Sequence, residues 1–197
     1  PNPRRVQMFI AEKGITGIEE VPVDINAHAH RDPAFRAKSP LSRIPVLELD
    51  DGRALGETRA ICAWLEGRWP TPNLMGDGAD EAAFIEMADR RVEWYVMLPL
   101  AQAIRHTHPG LAVLEQPQFP DFGASQRDKA LDGLRWLDET LARQLWVAGE
   151  RFTIADITAF CTVEFGRLAK FRPADAGLSA LQAWRDRVAA RPSALAT

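Results

Sequence analysis

Between Arg4 and Lys13 the apolar residues Val6, Phe9 and Ile10 recur on one helical face, and Gly14 follows as a stop, so the pattern predicts a first helix. Alternation then replaces that period. Val21-Pro22-Val23-Asp24-Ile25 reads as a strand, and as an edge strand because its proline has no N–H to give a ladder. Asp32-Pro33 opens a short helix that Ser39-Pro40 ends. Pro45 to Leu49 and Arg53 to Leu55 form two strands of a hairpin turned by Asp50-Asp51-Gly52. A helix from about Arg59 to Arg68 follows, with Ile61, Cys62 and Leu65 on its buried side.

Pro70-Thr71-Pro72-Asn73, with Gly76 and Gly78 beyond, breaks the pattern and reads as a linker. After it the periodicity is helical throughout. Asp80 to Ile104 predicts a long helix kinked at Pro99, and His106 to Gly123, with three prolines, a loop. Ser125 to Leu141, Thr153 to Leu168 and Leu178 to Ala190 predict three more helices. A first helix followed by a strand belongs to a βαβ unit whose opening strand comes earlier. The sequence opens at Pro1 without that strand, so the natural chain is expected to start about ten residues upstream.

Composition excludes several classes. The 197 residues are 46% apolar, enough for one large core or two ordinary ones. A formal charge of -3, with no long run of one sign, argues against nucleic acid as a partner. Cys62 and Cys161 lie in apolar stretches, so neither a disulfide framework nor a thiolate cluster is supported, and a reducing cytoplasm fits best. Charges interrupt every apolar run well short of the roughly 20 residues of a membrane helix. His28-Ala29-His30 and His106-Thr107-His108 fall in predicted loops without a companion at ligand spacing, so no metal is expected.

Chemistry concentrates at Glu57-Thr58, where the helix after the hairpin begins. The threonine hydroxyl and the first-turn N–H groups make an anion site, and the glutamate offers the opposite charge. Together they suit the ammonium and carboxylate of an α-amino acid head group. On spacing alone, a plain helix cap beside a solvated glutamate is the commoner arrangement. Thr153 and Asp156 have the spacing of a capping box, with Phe152 placed as a hydrophobic staple, which makes them a folding element.

Three patterns, in this order across nearly the whole chain, resemble the glutathione transferase family. Pro1-Asn2-Pro3-Arg4-Arg5-Val6 with Glu12-Lys13-Gly14 looks like its catalytic turn and first helix. Ile44-Pro45-Val46-Leu47 followed by Leu55-Gly56-Glu57-Thr58-Arg59-Ala60-Ile61 looks like its glutathione site. Gly149-Glu150-Arg151-Phe152-Thr153-Ile154-Ala155-Asp156 looks like its helix-capping motif. The resemblance implies an α/β thioredoxin-like domain over 1–72, a linker over 73–79 and an all-helical domain over 80–197 that supplies the electrophile pocket. It gives Glu57 and Thr58 the γ-glutamyl end of glutathione. It makes Pro45 a cis proline, gives the backbone of Ile44 the cysteinyl part, and puts Lys38 and Arg43 near the glycine carboxylate.

Such families activate the sulfur with a Ser, Tyr, Thr or Cys just before the first helix, a stretch that lies at or before Pro1 here. Asn2 is the visible amide donor, and in one bacterial branch an Asn after Thr-Pro contacts the sulfur. An ordinary helix cap is the alternative for it. Trp94, Leu98, Ala101 and Arg105 follow one face of the long helix and His106 ends it, so they are candidates for the electrophile pocket, although such a stripe is more often core. A cytoplasmic homodimer that detoxifies small apolar electrophiles, with glutathione as substrate and no membrane partner, completes what the resemblance implies. The same fold also serves glutathione-dependent isomerases, dehalogenases and reductases, and binding proteins that have lost catalysis. The Glu57-Thr58 pair argues against loss, since a site without function need not keep it.

Overall fold

A computed structural model describes residues 1–195, and the chain divides into two compact units, Pro1–Asn73 and Leu74–Leu195. The first contains α1 (Asn2–Glu12), α2 (Pro33–Lys38), β1 (Leu47–Glu48), β2 (Ala54–Leu55) and α3 (Thr58–Arg68). Its core is the seam between α1 and α3, where Val6, Met8 and Phe9 bury with Ile61, Cys62 and Leu65. Lys13 closes that seam. Its side chain is fully buried, and Nζ donates to the carbonyls of Trp69 at 2.6 Å and Pro72 at 2.7 Å while pairing with Glu66 at 2.7 Å. The ammonium thus satisfies carbonyls left over at the C-terminal end of α3, where a cation also meets the negative end of the helix dipole.

β1 and β2 pair antiparallel, Leu47 with Leu55 and Glu48 with Ala54, around a turn in which Gly52 takes φ 83°. The strand expected over Val21–Ile25 does not form. Residues 15–24 carry no regular element, Val21 is 71% exposed, and no described segment offers the ladder that such a strand requires.

The second unit is helical: α4 (Gly78–Val92), α5 (Leu98–Thr107), α6 (Pro120–Leu141), α7 (Ile154–Phe165), α8 (Ser179–Ala189) and α9 (Pro192–Leu195). α7 is buried on all sides from Ile154 to Val163, as a central helix must be, and α4 and α8 pack against it. The loop expected from His106 is shorter at both ends, because α5 runs to Thr107 and α6 starts at Pro120, a residue preset for a first helical turn.

The expected kink at Pro99 takes the form of a π-helical turn, Glu93–Met97, closed by the Leu98 N–H on the Glu93 carbonyl. Pro99 has no N–H for the Tyr95 carbonyl four residues back, so the ladder must widen there. That carbonyl turns toward α6 at Gly133, where a Cβ would stand 2.0 Å from the Tyr95 oxygen. Only a glycine lets the two backbones approach so closely.

Candidate active site

The hairpin register decides which loops meet. With Leu47 opposite Leu55, the chain entering β1 (Ile44-Pro45-Val46) and the chain leaving β2 (Gly56-Glu57-Thr58) lie at the same open end. The Ile44–Pro45 peptide is cis, as the resemblance implies. Glu57 has φ 62° and ψ 115°, a region that side-chain-bearing residues avoid at a cost of about 1–3 kcal/mol. Its side chain is exposed and makes no cap bond, while its carbonyl accepts the first helical bond from Ile61 N–H at 2.9 Å. Thr58 lies inside α3 and is buried. Neither residue is therefore the plain cap that spacing alone favours. The turn instead presents the start of α3, with its N–H groups ahead of the helical ladder, beside an exposed carboxylate.

Arg43 is held by its backbone. The buried Ser39 hydroxyl donates to the Arg43 carbonyl and accepts from the Arg43 N–H, each at 2.9 Å, which leaves the guanidinium exposed one residue before Ile44. Lys38 pairs with Glu48 at 2.7 Å, but both side chains are about half exposed (46% and 58%), so the pair is weak and its ammonium is exchangeable. Asn2 stands in the first turn of α1, with Pro1 in the cap position. Its Oδ1 accepts from Arg5 Nη1 at 3.3 Å, which turns the amide N–H groups to other use.

Sequence reasoning missed His30, which it weighed only as a metal ligand. The residue lies in a short 3-10 turn, Ala29–Arg31, is 7% exposed, and keeps an Nδ1 without a partner among the described residues. Burial, then the charges of Arg31, His28 and Arg43, lower its pKa. No spacing rule marks it. The only local signal is its position just ahead of Asp32-Pro33.

In the helical unit, Trp94 on the π turn is 60% exposed and Leu98 is 40% exposed, an open apolar surface rather than core. Ala101 and Arg105 continue that face, and Arg105 pairs with Glu115 at 3.1 Å. His106 differs. It is buried between Phe122 and Phe119, with ring centroids at 5.0 and 5.9 Å, and its Nδ1 accepts the Phe119 N–H at 3.1 Å. The ring thus straps the loop before α6 onto α5. Its remaining hydrogen sits on Nε2, 3.9 Å from Glu115.

The capping box of α7 forms. Asp156 is fully buried and receives the Val147 N–H (2.9 Å), Trp184 Nε1 (2.9 Å), the Thr153 N–H (3.0 Å) and the Thr153 hydroxyl (3.3 Å). Phe152, expected as a staple, lies edge-on to Trp146 at 5.4 Å and under the Arg191 guanidinium at 3.9 Å. Cys62 and Cys161 are both buried. Among the described residues no group of three or more His, Cys, Asp and Glu is arranged to hold a metal, and no helix is long and apolar enough to cross a membrane.

Family models for the glutathione S-transferase N-terminal domain and C-terminal domain match residues 1–68 and 112–192. Glutathione S-transferase 2 of Saccharomyces cerevisiae is 35% identical over 98% of this chain and 83% of its own length. The chain belongs to the glutathione S-transferase family. A glutathione S-transferase domain-containing protein from Marinobacter aquaeolei VT8 has a similar structure, with a TM-score of 0.92 and 43% identity over 98% of this chain and 95% of that one. Gtt2 from Saccharomyces cerevisiae also superposes at a TM-score of 0.92, with 35% identity over 98% of this chain and 93% of that one. The fold of this glutathione S-transferase is thus thioredoxin-like in its N-terminal unit and all-helical in its C-terminal one, and its small hairpin is the part of the sheet that the described residues form.

Proposed function

We propose that this transferase binds glutathione on the Pro1–Asn73 unit, holds its sulfur as the thiolate and adds it to a small apolar electrophile in the cytoplasm. The observation that carries the reading is the strained backbone of Glu57, since strain of that kind persists where a turn must present groups to a ligand. Glu57 takes the ammonium and Thr58 with the first turn of α3 takes the carboxylate of the γ-glutamyl group. Ile44 beside Pro45 pairs with the cysteinyl backbone, and Arg43 and Lys38 take the glycine carboxylate. Trp94, Leu98, Ala101 and Arg105 offer the electrophile an apolar surface with one cation, and His106 fixes the loop beside it. Glutathione is a substrate here, and the chemistry uses no metal.

Glu57→Ala and Thr58→Ala are each expected to weaken glutathione binding by about 1–3 kcal/mol, the worth of a hydrogen bond to a charged group. Calorimetric titration measures this directly, and wild-type affinity in both variants would remove the assignment.

Asn2 is proposed as a donor to the sulfur. Asn2→Ala should then raise the pKa of bound glutathione by on the order of one unit, about 1.4 kcal/mol, with little change in affinity. Ultraviolet absorbance of the thiolate against pH reads the shift, and an unchanged titration would leave Asn2 with its Arg5 contact alone.

We further propose a homodimer through α4. Phe84 is 65% exposed, and Met87 follows one turn on at 38%. Asp80 and Arg91 carry opposite charges toward the two ends of the helix, so a two-fold pairing of antiparallel α4 helices would be self-complementary. Phe84→Glu should sediment as a monomer at concentrations where the wild type is a dimer, and sedimentation at the same mass in both would exclude this face.

A further inference from the structure

Arg105 brings a positive charge to the face of α5 that also carries Leu98 and Ala101, and that charge is already matched. Its Nη1 meets Glu115 Oε2 at 3.1 Å and lies 3.5 Å from the Leu114 carbonyl. The other oxygen of Glu115 lies 3.9 Å from His106 Nε2. The Arg105 and Glu115 side chains are only 27% and 31% exposed, so water screens the pair in part and not in full. Attraction alone does not bring the carboxylate there. Beyond Glu115 the loop is fastened to α5 by Gln118, whose Nε2 donates to the carbonyls of Arg105 at 2.6 Å and His108 at 2.9 Å, and by the Phe119 N–H on His106 Nδ1. Before it, the Leu114 and Glu115 N–H groups both donate to the Leu111 carbonyl, at 2.9 and 3.1 Å. Glu115 lies between these fastenings, so the backbone delivers it to Arg105 whether or not the two charges attract.

The guanidinium engages these partners through Nη1, while Nε and Nη2 make no hydrogen bond among the described residues. Donors for an incoming anion are therefore present, and net positive charge is not. A carboxylate arriving at Arg105 would be drawn by the guanidinium and pushed by Glu115, and it would shed water with little field to offset that loss. An uncharged electrophile meets no such penalty. Resting on the reading of the Leu98–Arg105 face as the electrophile surface, we propose that Glu115 sets the substrate class of the transferase. By cancelling the charge of Arg105 it admits uncharged electrophiles and turns carboxylated ones away. Discrimination of this kind works by placing a repulsive group against the wrong ligand rather than by adding contacts to the right one.

The test uses a matched pair of electrophiles, 4-chloro-3,5-dinitrobenzoate and its amide, which are close in shape and differ in charge. In both, the glutathione thiolate forms a C–S bond at the chlorine-bearing carbon, and chloride leaves with the bonding pair. The readout is kcat/KM for the acid divided by kcat/KM for the amide, so that a general loss of folded enzyme or of glutathione binding cancels. Glu115→Gln, which keeps the side-chain shape and the backbone fastenings, is expected to raise the ratio about tenfold. Arg105→Gln alone leaves Glu115 uncompensated and should lower the ratio, and the double variant should bring it back near the wild-type value. An unchanged ratio in either single variant, or a gain in Glu115→Gln that survives Arg105→Gln, would overturn the proposal. Should the wild type conjugate neither compound, the transferase reading falls. Calorimetric titration of the acid into wild type and Glu115→Gln then decides the role of Glu115: tighter binding to the variant upholds it, and equal binding ends it.

Discussion

Asp156→Ala is expected to cost the fold about 3–5 kcal/mol, a large share of the total stability of a domain. Four donors converge on this carboxylate from three places in the chain: the start of α7, the loop at Val147 and the indole of Trp184 on α8. Removing it strands the buried N–H groups of Val147 and Thr153 and the buried indole of Trp184. Urea unfolding of wild type and variant measures the loss, and a difference below about 1 kcal/mol would refute the role.

The same residue has a pH signature. Burial pushes the Asp156 carboxyl up to about 6, against the pull of its hydrogen bonds toward the anion. In the unfolded chain it titrates near 3.9. The folded state therefore binds the proton more tightly, and this group's contribution is complete below about pH 4 and is lost as pH rises through 6. Subtracting Asp156→Asn from wild type isolates that dependence from the ion-paired Asp51, Glu81 and Asp186, whose lowered pKa values act with the opposite sign.

Lys13→Met should be the second most damaging of these changes, at about 3–5 kcal/mol, because the apolar chain can replace the stem but not the ammonium. Glu66, with only 14% side-chain exposure, would lose the Lys13 ammonium, and the carbonyls of Trp69 and Pro72 would lose that donor. Denaturant unfolding is the test. Glutathione binding to the fraction still folded should stay close to wild type, since Lys13 lies away from Glu57 in the proposed contacts.

How far the sequence carried this picture can be seen element by element. The helices were legible because their apolar periods are long, and α7 was legible at its start because a capping box is local chemistry. The start of a helix at Glu57-Thr58 was legible, whereas the strain at Glu57 was not, because nothing in residue types reports a positive φ outside glycine. Val21–Ile25 has the alternation of a strand, but alternation describes a segment and a ladder needs two. His30 was missed for a related reason: burial of a single imidazole depends on what folds over it. His106 was placed correctly at the end of a helix, yet its hold on Phe119 comes from thirteen residues away and has no period to betray it.

The close approach of Tyr95 to Gly133 ties two positions that never touch through side chains. Pro99 frees the carbonyl, and Gly133 makes room for it. An alanine at 133 collides with that oxygen for as long as the proline is present. If residue 99 regains an N–H, the carbonyl can be drawn back into its own helix and the collision eased. The order of change then matters: a chain can lose the proline first and the glycine afterwards, while the reverse path passes through a damaged intermediate. Pro99 and Gly133 are thus coupled through the Tyr95 carbonyl, so that the effect of a change at one depends on the residue at the other.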